Sequence, residues 1–250
     1  LTIHRDGLRY YQVYKNGNPE APDVTSTDET QTGTEVRFMP SLSIFSHINF
    51  FRNTVVKILR ELAFLNKGVC IKFVDSRDSD DLFEEVYHYS GGVSQFVAFL
   101  NETKTPLHEK IVYVEGEDGH ISFELALQWT GAYQEHILCY TNNIPQQDGG
   151  THLAALRTAL TRTVNRYQTD KKQKASILGE DVREGLTGVL SIKMPDPKFS
   201  SQTKGKLVSS EVKKVIETEV CERLMEFLQE NPKVADAVLG KIYDAARARE

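Results

Sequence analysis

Met194-Pro195-Asp196-Pro197-Lys198-Phe199-Ser200-Ser201-Gln202-Thr203-Lys204-Gly205-Lys206-Leu207-Val208-Ser209-Ser210-Glu211-Val212 is the stretch around which the chain is organised. Two prolines at its start exclude a helix interior or a central strand. Ser209-Ser210-Glu211 at its end reads as a helix start, a hydroxyl N-cap followed by a carboxylate in the first turn. Between them Gln202, Thr203, Lys204 and Lys206 form a polar loop with no apolar anchor between Phe199 and Leu207. An amide, a hydroxyl and two ammonium groups are the donors an anionic ligand needs. A solvated surface loop would use the same residues.

The surrounding 250 residues are 40% hydrophobic and 26% charged, an ordinary composition for a folded chain of one large or two small domains. No apolar run reaches the ~18 residues of a membrane span, and the first residues are no signal peptide, so no membrane association and a cytoplasmic location are expected. Cys70, Cys139 and Cys221 are odd in number and far apart in apolar stretches, which suggests buried, reduced thiols. The seven histidines show no metal-ligand spacing, so no metal site is expected. A net charge of −5 argues against a surface that grips nucleic acid everywhere, while leaving room for a local basic lining.

Before the central stretch, Leu1 to Arg5 and Leu8 to Tyr14 alternate like strands around an Asp6-Gly7 hairpin turn, and Asn16-Gly17-Asn18-Pro19 makes the next turn. Asp23 to Gln31 reads as an exposed connection, and Thr34 to Met39 as a further strand. Val55, Ile58, Leu59, Leu62 and Leu65 share one helical face that stops at Asn66-Lys67-Gly68. Val69 to Asp75 returns as a strand, and Asp78-Ser79-Asp80-Asp81 is a solvated acidic loop. A short helix follows Gly91-Gly92, and the domain boundary is placed here, giving segments 1–88 and 89–250. Lys110–Glu115, Ile121–Trp129 and Gln134–Asn142 read as a three-stranded meander with turns at Asp118-Gly119 and Thr130-Gly131. Asp148-Gly149-Gly150-Thr151 opens a helix reaching about Tyr167, and a basic linker, Asp170 to Lys174, follows. A short helix around Asp181–Gly185 and the strand Leu186–Met194 lead into the central stretch. A helical stripe from Val212 to Leu228 is interrupted at Asn231-Pro232, and a final helix follows. Antiparallel strands with helices on one face predict an α+β fold.

Lys198-Phe199-Ser200-Ser201-Gln202-Thr203-Lys204-Gly205-Lys206-Leu207 resembles the Gln-Thr-Lys loop of the ATPase subunits of bacterial type IIA topoisomerases. Six further blocks resemble the B-subunit family of DNA gyrase: Thr32-Gly33-Thr34-Glu35-Val36-Arg37-Phe38, Arg60-Glu61-Leu62-Ala63-Phe64-Leu65-Asn66, Lys104-Thr105-Pro106-Leu107-His108, Thr141-Asn142-Asn143-Ile144-Pro145, Asp148-Gly149-Gly150-Thr151-His152-Leu153 and Ala245-Ala246-Arg247-Ala248-Arg249-Glu250. They lie in order over essentially the whole chain. The ATPase subunit of topoisomerase IV, which has the same loop, and a non-catalytic binding module on this scaffold are the rival readings.

The resemblance implies the C-terminal part of a GHKL-type ATPase sandwich over residues 1–88. Residues 89–250 would be a transducer domain, a ribosomal-protein-like sheet with helices on one face. It implies an ATP-hydrolysing type II topoisomerase that negatively supercoils double-stranded DNA, working with the gyrase A subunit in a heterotetramer and dimerising on ATP through a second B subunit. Gln202 and Lys204 match the loop that meets the terminal phosphate. Thr34 and Val36 match positions beside the adenine, Arg5 the pocket rim where aminocoumarins bind, and Arg157 a residue lining a cavity for DNA. The family's catalytic glutamate, its magnesium-binding asparagine, the Asp-x-Gly-x-Gly motif and the ATP lid would precede Leu1, and no Walker-type loop replaces them. Most ligands for Mg2+ are therefore expected outside these residues, and the isolated segment is expected to be inactive. Without the resemblance, Thr34 and Val36 read as strand residues, one exposed and one buried. Arg5 reads as an outward strand cation, Arg157 as a surface helix charge and Lys206 as a solubilising neighbour.

Overall fold

The computed structural model describes every residue except Glu29, Gln31, Ser79, Gln173, Lys174 and Glu250. The chain forms two compact units, Leu1–Thr54 and Val55–Glu250. In the first, strands β1 (Thr2–Arg5), β2 (Leu8–Tyr11), β3 (Tyr14–Lys15), β4 (Asn18–Pro19), β5 (Asp23–Ser26) and β6 (Gly33–Glu35) form an antiparallel sheet, β5-β2-β1-β6, and a small β3-β4 ribbon. Asp6-Gly7 and Asn16-Gly17 hold positive φ at both positions, the twist-matched two-residue turn that such pairs favour.

Two expectations change in this unit. Asp23–Ser26, read as connection, pairs along β2, with Tyr10 opposite Val24. Ladder pairing uses the backbone, so an edge strand can carry wholly exposed side chains. Glu29 and Gln31, at the end of that stretch, lie outside the described residues. The strand expected over Thr34–Met39 ends at Glu35. Val36, expected to be buried, is 68% exposed because β6 is a sheet edge whose pairing has already stopped.

The second unit takes up α1 (Arg52–Leu65) from Val55 onward, then β7 (Cys70–Asp75) and β8 (Phe83–His88) as a two-stranded ribbon, and α2 (Gly92–Leu100). Strand β8 went unforeseen behind the acidic Asp78–Asp81 run, of which Ser79 lies outside the described residues. Cys70 is exposed rather than buried, because alternation puts it with Lys72 and Val74 on the open face of this ribbon. Cys139 is buried and Cys221 partly so, and all three thiols are free.

The main sheet consists of β9 (Val112–Asp118), β10 (Ile121–Trp129), β11 (His136–Thr141), β12 (Ile144–Pro145) and β13 (Leu186–Lys193), with α3 (Thr151–Asp170), α4 (Gly179–Arg183), α5 (Val212–Glu230) and α6 (Pro232–Arg249) completing the unit. The strand order is β12-β11-β13-β10-β9, so the expected meander is wrong at its third strand. Strand β13 lies between β10 and β11 and runs parallel to β11. Its residues Leu186 to Ile192 are buried on both faces, which suits a central strand. At its start, Gly185 (φ +70°) accepts hydrogen bonds from Thr130 N–H at 2.9 Å and Thr130 Oγ1 at 3.0 Å. That corner delivers β13 beside β10 instead of letting the Thr130-Gly131 turn close a hairpin.

Helices α3 and α5 cover one face, where Leu125, Leu127, Trp129 and Leu190 pack with Leu156, Leu160, Ile216 and Leu224. Opposite, Ala126, Tyr140 and Val189 pack with Phe64, Val93, Phe96 and Val97 of α1 and α2. Pro232 opens α6 directly after α5, using the helix position where a missing N–H costs nothing. The basic linker after Asp170 includes Gln173 and Lys174, which lie outside the described residues. Among the described residues no helix is long and apolar enough to cross a membrane.

Candidate functional site

The Gln202-Thr203-Lys204 segment is the tip of a hairpin. Phe199 bridges Leu207 antiparallel, Ser200 N–H donates to Lys206 O at 3.1 Å, and Val208 N–H donates to Lys198 O at 2.9 Å. The tip closes through Lys204 N–H to Ser201 O at 3.1 Å, with Lys204 itself in the left-handed region at φ +57°. Ser209 does not cap α5 as expected. It is buried, its Oγ accepts Lys198 N–H at 2.9 Å, and α5 begins at Val212 with no side-chain cap. Ser209 thus closes the base of the hairpin, which leaves its hydroxyl unavailable to the helix.

A second element grips the hairpin. Gly205 O accepts Asp148 N–H at 2.9 Å, Gly149 O accepts Leu207 N–H at 3.1 Å, and Leu207 O accepts Thr151 N–H at 3.0 Å. Gly149 and Gly150 have φ of +64° and +143°, so α3 starts only at Thr151 and not at Asp148. At Gly150 a Cβ would collide with the Leu207 carbonyl and lie 2.7 Å from Leu207 N, so only glycine permits this approach. The rigid stem leaves a polar tip. Gln202 and Lys206 are exposed and Lys204 is half-buried, with its Nζ 5.9 Å from the Phe199 ring centroid. Among the described residues Lys204 has no carboxylate within ion-pair distance. An ammonium held this way is a ready donor to an anion.

Arg157 projects from α3 into a shallow groove with Thr158, Thr161, Arg162, Asn165 and Arg183. Its Nε and Nη2 donate to Glu135 at 2.9 and 3.0 Å, and Arg183 Nε donates to the same carboxylate at 3.1 Å. Arg162 reaches Glu217 at 3.5 Å. The cluster is basic but braced, and sequence reading found only Arg157. Arg183 is 26 positions away, and no spacing rule connects it to α3.

In the first unit, β1 carries Arg5 and β6 carries Thr34, which pairs with Ile3. Arg5 is exposed and forms a 3.4 Å ion pair with Asp6. Thr34 and Val36 are exposed at the same sheet edge. Gln202, Lys204 and Arg157 belong to the second unit.

A buried polar group escaped the sequence altogether. His152, in the first turn of α3, is fully buried, and its Nε2 lies 3.2 Å from Gln146 Oε1, which also accepts Thr141 Oγ1 at 2.8 Å. Burial lowers the His152 pKa to about 4, against an opposing pull from the Gly150 backbone. Among the described residues no group of three or more His, Cys, Asp or Glu side chains is placed to hold a metal ion.

The fold is that of the ATPase region of type II topoisomerases. The 43K ATPase domain of Thermus thermophilus gyrase B, crystallised with an aminocoumarin, matches with a TM-score of 0.84 and 35% identity over 99% of this chain and 68% of that one. The topoisomerase IV ATP-binding domain of Francisella tularensis has a TM-score of 0.82 at 24% identity, covering 99% of this chain and 68% of that one, a likeness of fold alone. The DNA gyrase B subunit of Caulobacter vibrioides (strain NA1000 / CB15N) is 48% identical over 265 residues, covering 100% of this chain and 33% of the relative. The chain therefore spans about a third of the length of that relative. The DNA gyrase B family model matches residues 92–250. The chain belongs to the DNA gyrase B family.

Proposed function

We propose that this chain is the part of an ATP-driven type II topoisomerase that senses the terminal phosphate of ATP and passes that state to the DNA-handling machinery. The observation that supports it is the hairpin tip: Lys204, uncompensated by any carboxylate among the described residues, stands on a stem clamped to α3. In this reading Lys204 and Gln202 are the catalytic loop residues. Lys204 places its ammonium against the γ-phosphate, and Gln202 donates its amide. A charge-assisted hydrogen bond of this kind contributes ~1.5–3 kcal/mol. The contact exists with ATP and not with ADP, which makes the loop a sensor.

Residues 1–88 serve as the end of a GHKL-type ATPase domain and residues 89–250 as the transducer. Thr34 and Val36 contact the adenine side, and their exposed sheet edge is open to such a ligand. Arg5 stands at the pocket rim, where an aminocoumarin would meet it. Arg157 faces the DNA path. Most ligands for Mg2+ would lie outside these residues. The working partners are double-stranded DNA, a second B subunit, and the A subunit of gyrase, and the location is the cytoplasm. The test is nucleotide affinity in the full-length protein. Lys204→Ala should weaken a non-hydrolysable ATP analogue while leaving ADP affinity unchanged, and equal affinities for the analogue in both proteins would refute the contact.

A further inference from the structure

His152 is fully buried in the first turn of α3, with its Nε2 3.2 Å from Gln146 Oε1 and its ring beside the Gly150 backbone. That position joins the first turn of α3 to the turn that precedes it.

Gln146 forms the centre of a short polar relay. Its N–H donates to Cys139 O at 2.9 Å and its Nε2 to Ile144 O at 2.6 Å, which anchors it to β11 and β12. Its Oε1 receives Thr141 Oγ1 on one side and faces His152 Nε2 on the other. Its own carbonyl accepts Gly149 N–H at 3.1 Å. The segment from Gln146 to Gly150 is thus held to the sheet through Gln146, and Gln146 is held in turn to α3 through His152. That segment also carries the Asp148 and Gly149 backbone groups that grip Gly205 and Leu207. With Leu207 fully buried and its carbonyl pressed against Gly150, the hairpin cannot shift unless the turn shifts with it.

We propose that His152, acting with Gln146, is a positioning residue for the Lys204 loop: it sets the turn that fixes where the Lys204 ammonium stands. This rests on the reading of Lys204 as the γ-phosphate contact. His152 is too buried to touch a nucleotide and acts only through the turn. A donor displaced by about 1 Å can cost ~10²-fold in rate, so a small shift of the turn is enough to matter.

The experiment is a double-mutant cycle on ATP hydrolysis in the full-length protein. It uses His152→Leu, Lys204→Ala and the two combined, with His152→Gln as the conservative variant. His152→Leu should lower kcat by about 10- to 100-fold with little change in KM, and His152→Gln, which keeps an amide donor near Nε2, should recover most of it. The combined variant should be no slower than Lys204→Ala alone, since both changes remove one contact. If His152→Leu does not fold, Gln146→Met, which removes the amide at similar volume, takes its place in the same cycle. Wild-type kcat in the folded variant overturns the proposal, and so do losses that multiply in the combined variant. In the second case an impaired Lys204→Ala leaves the phosphate-contact reading standing. Wild-type turnover in Lys204→Ala overturns both.

Discussion

Arg157 and Glu135 meet as a two-point pair, Nε to Oε1 at 2.9 Å and Nη2 to Oε2 at 3.0 Å, and Arg183 shares the same carboxylate at 3.1 Å. One acid therefore holds two cations in the groove along α3. A phosphate arriving there would compete with Glu135 for both. Arg157→Gln in the full-length protein should leave basal ATP hydrolysis intact but reduce its stimulation by DNA. The slope of log affinity against log salt should fall by about 1. Glu135→Gln should act in the opposite direction by releasing both arginines. DNA stimulation that is the same in all three proteins across a salt titration would return Arg157 to an ordinary surface charge.

Lys204 and Lys206 lie two positions apart on one hairpin, which controls for net charge. Lys204→Ala should lower ATP turnover by ~10²–10³, as expected when a donor aimed at developing charge is removed. Lys206, exposed, should be nearly silent on replacement by alanine. Gln202→Ala should fall between, because a neutral amide makes a bond about half as strong as a charged one. Steady-state rates for the three variants decide the matter, and matching rates for the two lysine variants would remove the loop from the mechanism.

Gly150 and Gly119 both have positive φ, yet their surroundings differ. A Cβ at Gly150 would collide with the Leu207 carbonyl and meet Leu207 N at 2.7 Å, while at Gly119 nothing lies within 4 Å. Gly119→Ala should cost about 1 kcal/mol, the strain of a left-handed alanine. Gly150→Ala adds a backbone collision and should cost about 3 kcal/mol or more, with the hairpin displaced from α3. Denaturant unfolding of the two variants beside the parent chain measures both, and similar costs would contradict the clamp.

His152 makes stability fall in acid. Its folded pKa is about 4, against 6.5 for an unperturbed histidine, so between those values the unfolded chain takes up the proton and the folded one does not. The contribution is complete above about pH 6.5 and is lost as pH falls toward 4, by up to about 3 kcal/mol. His152→Gln should flatten this part of the stability profile between pH 7 and pH 5. An unchanged profile in that variant would mean that other groups carry the acid sensitivity.

Much of this protein is written locally and can be read that way. Leu153, Leu156, Leu160 and Val164 mark α3 because side chains three and four apart share a helix face, and Asp6-Gly7 marks a hairpin because glycine and aspartate tolerate positive φ. The Gln202-Thr203-Lys204 motif was legible in the same way, as a resemblance carried by consecutive residues. The tertiary structure alone decided what those pieces meet. Strand β13 entered between β10 and β11 because both of its faces are apolar and a central slot buries both, a choice made by a strand some 45 residues downstream of β11. Gly150 and Leu207, Arg157 and Glu135, His152 and Gln146 are likewise joined through space. Val36 and Cys70 show the converse. Both are apolar in sequence and exposed in the fold, because burial depends on the element that covers a residue, and local pattern says nothing about where that element comes from.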